Sequence, residues 1–288
     1  MTRPMGLIIV LGCLGATLWA VPAAQTQPAQ EPPQGPQPVA AAKDDTPQEK
    51  PSPEALKLLE RLEKAGMEHK TVEAAIDYLV EDILTGDREQ RTGWVAFRKG
   101  QKDDPDNFRV SFLTLKLGEG KAVKDQVDYA FDGQVLTVAK HRIKQMTRYT
   151  VAAPGEKVEA MKLGRGPFPL PFGQTVEDML GFFKVETRPA GKTAAADEPK
   201  DADYLLLTTR LDKRKQTNMD KAEMWIDRKT GLPVRIVSRE NKTKKVTTLN
   251  FGEIKTNQDL SVETFLLPKP PGWNLTVEKF EEGKALRP

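Results

Sequence analysis

Apolar and polar positions alternate most clearly over Val127–Val151, VDYAFDGQVLTVAKHRIKQMTRYTV. Asp132-Gly133 stands between two alternating runs, a strong hairpin signal because tight hairpin turns need positive φ. A two-residue turn there predicts Tyr129 opposite Leu136 and Val127 opposite Val138, both pairs on one face. A third run, with Ile143, Thr147, Tyr149 and Val151 on one face, extends the pattern to an antiparallel meander. One side of that meander is apolar and needs a cover or a ligand.

The flanking pattern is similar. Ser52-Pro53-Glu54 predicts a helix start, with Ser52 as N-cap and Pro53 in the first turn. Leu56, Leu59 and Leu62 form a stripe with Leu58 beside it, and Gly66 is the expected end. Thr71–Leu84 fits two periods. Val72, Ile76, Leu79, Val80 and Ile83 suit a helix, while Val72, Ala74, Ile76, Tyr78 and Val80 suit a strand. Gly93–Arg98 reads as a short strand and 99–107 as a polar loop. Phe108, Val110 and Phe112 then alternate, and the phase shifts to Leu113, Leu115 and Leu117, which predicts a β-bulge in a curved sheet. Prolines in Gly164–Gly173 exclude a regular central strand, leaving Phe168, Leu170 and Phe172 along an extended backbone. A helix over Thr175–Phe183 follows, with Thr175 as cap. Pro189–Asp201 is a polar loop. Strands are expected over Tyr204–Leu211, Ala222–Arg228, Pro233–Arg239, Lys245–Phe251 and Trp273–Phe280, with Gly252 as a kink. About ten strands and two helices make one mainly antiparallel domain.

The N-terminus changes this picture by adding export. Arg3 precedes the apolar run Gly6–Trp19, and Val21-Pro22-Ala23 offers small residues for cleavage, so residues 1–23 read as a signal peptide. An uncleaved anchor, or lipid on Cys13 within Val10–Cys13, are the alternatives. Residues 24–51 are rich in Pro, Gln and Ala and predict a disordered linker, leaving 52–288 as the folded domain. Cys13 is the only cysteine, so a cleaved chain has no disulfide, Cys nucleophile or Cys metal site.

Candidate chemistry is sparse. The net charge is +3, from 44 basic and 41 acidic residues interspersed along the chain, and predicts no nucleic-acid partner. His69 and His141 have no ligand spacing, and Asp103, Asp104 and Asp106 fail the Ca²⁺-loop pattern. No G-x-S-x-G, Walker or G-x-G-x-x-G motif occurs. No catalytic residue, metal or cofactor is therefore predicted. Lys213-Arg214-Lys215 reads either as a contact for anionic lipid or polymer or as a solvated hairpin end. Trp94, Phe108, Val110, Phe112, Tyr129, Phe131 and Leu136 either line an apolar cavity or form a core filled by their own side chains.

Three stretches carry a family resemblance. One is Gly93–Phe112, with Asn107-Phe108-Arg109-Val110 after a proline loop. The second is Tyr129–Leu136. The third runs from Met224-Trp225-Ile226-Asp227 and Thr230-Gly231-Leu232-Pro233 through Phe251, Asn257 and Phe265 to Pro271-Gly272-Trp273. Their order is similar to that of the LolA-like periplasmic lipoprotein carriers, and more to the outer-membrane lipoprotein-sorting group than to the narrow carrier. The resemblance implies a mainly β (α+β) fold: a curved antiparallel sheet forming an unclosed β-barrel, with helices as a lid over an apolar cavity. It selects strand for Thr71–Leu84 and places Phe108 on the cavity wall. The family has a basic residue directly before its loop proline that latches the lid. Here Arg98 and Lys99 are the candidates, separated from Pro105 by the insertion 100–104. The implied function is a non-catalytic, monomeric carrier of lipid or lipoprotein acyl chains in the periplasm or envelope, with envelope membrane proteins as candidate further partners. The alternative is an envelope sensor or scaffold of the same fold that binds a protein partner.

Overall fold

The computed structural model describes residues 50–100, 104–151, 163, 172–188, 198–217, 219–240 and 242–279. The expected signal peptide, nearly all of the linker, Phe168, Leu170 and most of the 189–201 loop lie outside these residues.

Helix α1 (Pro53–Glu68) begins as its cap chemistry dictates, with the Ser52 side chain accepting from the Ala55 N–H at 3.2 Å. Its buried stripe is Ala55, Leu59, Leu62 and Ala65, so Leu56 lies at the margin. Gly66 does not end it. The helix runs on to Glu68, and His69 caps it in an extended conformation with its N–H on the Ala65 carbonyl. Helix α2 (Val176–Phe182) is capped by Thr175, which accepts from the Asp178 N–H at 3.1 Å.

Among the described residues there are twelve strands: β1 (Thr71–Asp82), β2 (Arg88–Arg98), β3 (Asn107–Leu117), β4 (Val123–Phe131), β5 (Val135–Lys140), β6 (Gln145–Thr150), β7 (Phe183–Thr187), β8 (Ala202–Thr209), β9 (Met219–Asp227), β10 (Pro233–Glu240), β11 (Lys245–Thr256) and β12 (Asn274–Lys279). They form one sheet in the order β12-β6-β5-β4-β3-β2-β1-β11-β10-β9-β8-β7. Two meanders, β1–β6 and β7–β11, meet along a seam where β1 pairs antiparallel with β11. The end strands β12 and β7 do not pair with each other, so the barrel is not closed. Among the described strands only β12 departs from antiparallel pairing: it lies parallel to β6, which makes the sheet mixed.

Side chains from β5 through β7 in this order, together with α1 and α2, belong to a single apolar cluster. Laid flat, those ten strands would span about 43 Å at about 4.8 Å per gap. One core touching all of them requires the sheet to curl around the helices. The bends have local causes. The β3–β4 register shifts between Phe112 and Thr114, where the apolar phase shift predicted a bulge. The β1–β11 register shifts between Ala74 and Ile76, opposite Gly252. A Cβ on Gly252 would sit 3.2 Å from the Ala75 Cβ. This is the unclosed-barrel architecture, with two helices on its inner face, that the LolA-like resemblance implies.

The expected strand over Thr71–Leu84 is β1, with Val72, Ala74, Ile76 and Tyr78 buried in alternation, but it ends at Asp82, and Ile83 and Leu84 belong to the turn that follows. The central hairpin is offset from its predicted register. Tyr129 faces Val138 and Phe131 faces Leu136, with Val127 opposite Lys140. The cause is Asp132, whose carboxylate accepts from the Gln134 and Val135 N–H groups at 3.0 and 2.8 Å. Asp132 thus becomes the first corner, and the central pair becomes Gly133-Gln134, of which only Gly133 has positive φ. A slip of two residues preserves the face of every side chain, whereas a slip of one would have inverted it. Ile143 does not share the β6 face. It sits in a short 3₁₀ turn, His141–Ile143, and is exposed.

Candidate functional site

The inner face of β3, β4 and β5 gathers Phe108, Val110, Phe112, Tyr129, Phe131 and Leu136, each at most 2% exposed. Strand alternation does this, since these positions lie two apart on neighbouring strands. Phe108 and Phe131 stack at 5.6 Å, Phe112 meets Tyr129 edge-on at 6.3 Å, and Tyr78 joins Phe112 at 5.3 Å. Burial pushes the Tyr129 phenol far above its usual pKa, with the nearby Tyr78 adding to the shift. Trp94 does not join them. Val95 and Phe97 of β2 point inward, so Trp94 takes the outer face, where the Arg109 guanidinium lies 5.2 Å over its ring. The apolar stretch around it, with Gly93 and Val95 as neighbours, conceals that alternation.

Helix α1 shares this apolar cluster, packs nearest α2, β7 and β8, and is fastened by polar contacts around its stripe. Arg61 reaches Asp203 of β8 at 2.6 Å. Lys99 donates to the Gly66 carbonyl in the last turn at 3.1 Å. The His69 ring nitrogen lies 3.4 Å from the Thr230 carbonyl. Gly231, at φ 70°, lets the β9–β10 turn lie against the helix; a Cβ there would sit 3.0 Å from the Ala65 Cβ. Burial works to raise the Asp203 pKa, but the hydrogen bonds and charges of Arg61 and Arg228 outweigh it and hold the carboxyl below 3.8.

The two latch candidates separate. Lys99 touches α1. Arg98 turns outward, donating from Nε to Asn107 Oδ1 at 3.0 Å and lying 5.8 Å over the Phe265 ring. A cleft of about 620 Å³ opens beside them, lined by Glu68, Lys70, Arg98, Lys99, Asp104 and Asn257 among others. The Pro105 loop closes against the central hairpin; a Cβ on Gly133 would sit 2.0 Å from the Pro105 Cγ.

The outer face of the same strands holds a polar cluster that sequence reasoning missed. Asp128, 1% exposed, accepts from Ser111, from Arg109 at 3.2 Å and from Gln126 at 3.0 Å, and pairs with His141 Nε2 at 2.6 Å. Ser111 and His141 both bond the central carboxylate, so the imidazole is not placed to take the serine proton. The segment between β11 and β12 crosses this face as a strap. Arg109 donates to the Thr264 carbonyl at 3.2 Å, Phe265 is buried, and Trp273 meets the His141 ring edge-on at 4.9 Å. The only advance signal was the strand phase, which puts Arg109, Ser111 and Asp128 on the face opposite Phe108 and Tyr129. Among the described residues, no group of three His, Cys, Asp or Glu side chains comes together as a metal site would require.

No family model matches the chain, and no curated protein matches it. Solved structures similar to it include an uncharacterised conserved protein from Thermus thermophilus, at 16% identity over 78% of this chain and 99% of that one, with a TM-score of 0.44. Another is the MucA/MucB complex of Pseudomonas aeruginosa, at 17% identity over 75% and 61%, with a TM-score of 0.38. A LolA superfamily protein from Nitrosomonas europaea is similar at 13% identity over 74% and 97%, with a TM-score of 0.34. These identities and scores are too low to carry a function across.

Proposed function

We propose that the chain is an exported, non-catalytic carrier that takes acyl chains of a lipid or lipoprotein between the curled sheet and helix α1. The observation that carries this reading is the contrast at α1. An aliphatic stripe, Ala55, Leu59, Leu62 and Ala65, belongs to the same apolar cluster as Phe108, Phe112, Tyr129 and Phe131, and the helix is fixed at its edges by Arg61–Asp203 and Lys99–Gly66. Releasing those contacts frees a lid without breaking a strand ladder. An acyl chain entering beneath it would gain about 0.8 kcal/mol per buried methylene before the cost of displacing α1. Lys99 is the latch residue in this reading, and Arg98 holds the strap.

The test is native mass spectrometry of the exported chain with extraction of co-purifying lipid, beside uptake of a fluorescent acyl probe. Stoichiometric lipid, or probe uptake that rises on Arg61→Ala with Lys99→Ala while far-UV circular dichroism is unchanged, supports the carrier. A clean apo mass with no uptake by either protein removes it. The close packing of Phe108, Phe112, Tyr129 and Phe131 favours the second reading in that case: a protein-binding envelope sensor whose interior is filled by its own side chains.

A further inference from the structure

The hairpin register brings five turns to one rim of the sheet. They join β1 to β2 (83–87), β3 to β4 (118–122), β5 to β6 (141–144), β8 to β9 (210–217) and β10 to β11 (242–244). Pairings next to this rim include Glu81 with Arg88, Leu115 with Val123, Lys140 with Gln145 and Asp82 with Lys245. Neighbouring turns touch: the Ile83 N–H donates to the Lys244 carbonyl at 3.1 Å, and Arg88 lies 3.9 Å from Glu119. The Pro105 loop and the C-terminal end of α1 lie at the opposite rim.

Two properties coincide on these turns. Ile83, Leu84, Leu117, Val123, Ile143 and Leu211 stand at or beside them, 52 to 76% exposed. They are half of the large apolar side chains exposed among the described residues. Four of the five stretches are also basic; 81–88, with three acids against Arg88, is not. Residues 81–88, 116–124, 140–145, 210–221 and 239–245 hold sixteen Lys and Arg against seven Asp and Glu, a net charge of +9 on a chain whose total is +3. The Lys213-Arg214-Lys215 tip is one of the basic turns on this rim.

We propose that this rim docks on an anionic lipid bilayer, with the aliphatic tips in the headgroup layer and the four basic turns against the lipid phosphates. Exposed aliphatic side chains ringed by Lys and Arg are the composition of an interfacial membrane contact. A soluble polyanion would engage the cations and leave the aliphatic tips in water, so it accounts for half of the pattern. The surface is separate from the interior assigned to acyl chains, and either assignment stands if the other fails.

The apolar stretch Gly6–Trp19 can hold a full-length chain on vesicles by itself, so the test reads insertion at the rim. The full chain in a Cys13→Ser background carries an environment-sensitive fluorophore on Leu84→Cys. It is titrated with phosphatidylcholine vesicles, with and without about one-third phosphatidylglycerol. A blue shift is expected with the anionic vesicles alone, reversed by about 0.5 M salt. The same probe on Gln258→Cys, at the opposite rim, is expected not to shift. Replacing Lys213, Arg214 and Lys215 with Glu is expected to weaken the response about tenfold or more. Ile143→Ser with Leu211→Ser, both on exposed turns, is expected to weaken it without changing binding to soluble heparin. No shift at position 84, an equal shift at position 258, or a serine variant that responds to vesicles as fully as the natural chain would each overturn the proposal.

Discussion

The two faces of the β3–β4 pair are built from alternating residues of the same strands, and they are buried in opposite ways. Inward, Phe108, Val110, Phe112, Tyr129 and Phe131 exclude water within the apolar cluster that the helices share. Outward, Arg109, Ser111 and Asp128 lie beneath the strap and are held by hydrogen bonds and charge. The inner face tolerates loss of shape poorly because packing energy is spread over every contact. The outer face concentrates its energy on one carboxylate, because a buried charge is stable only while its partners remain.

Breaking the inner side gives the largest expected effect. Phe112→Ala, at a fully buried position, is expected to cost about 3–5 kcal/mol and lower the urea midpoint accordingly. The outer equivalent is Asp128→Ala, expected to cost about 2–3 kcal/mol by stranding the Ser111 hydroxyl and removing one partner each of Arg109 and His141. If the strap depends on that carboxylate, the same variant also exposes Trp273, read as faster acrylamide quenching of tryptophan fluorescence. Trp94→Ala sharpens the contrast, since a large aromatic on the outer face should cost only about 1 kcal/mol, mainly its cation–π contact with Arg109. An equal loss to that of Phe112→Ala would show that the outer face packs like a core.

The smallest effect is pH-dependent and belongs to the α1 fastening. The Asp203 carboxyl is held below its unfolded value of 3.8, so its contribution is complete above that pH and fades as pH falls through the lower folded value. The pair is partly exposed, and the loss is expected to stay under about 1 kcal/mol. Urea unfolding at pH 5 and pH 3 checks it: the gap between the natural chain and Asp203→Asn should narrow at the lower pH.

The strand content was legible because alternation is a local signal. It revealed the inner faces of β3, β4 and β5, and a two-residue slip at Asp132 left those faces intact. Thr71–Leu84 was not decided by its own residues. Its neighbours β2 and β11 flank it on both edges, and such a central strand carries enough apolar residues to imitate a helix. The Asp128 cluster was hidden for another reason. Strand spacing puts Arg109 with Ser111 and Gln126 with Asp128, but the two pairs and His141 meet only through cross-strand register and a turn. The route of the strap, and the parallel pairing of β12, depend on a crossing of the whole first meander that no local pattern records.

The β1–β11 seam carries a consequence for the birth of the molecule. Each meander closes through neighbouring hairpins, but the seam joins residues 163 to 184 positions apart, from Asp82 with Lys245 to Val72 with Thr256. Contacts so distant in sequence are slow to form, because a long loop must be ordered before the ladder compensates for it. Strand β1, emerging first, therefore keeps one bare edge until almost the whole domain has emerged. A bare strand edge is a template for the wrong partner. Holding the chain unfolded until β11 is available, as transport across a membrane before folding does, would shorten that exposed interval.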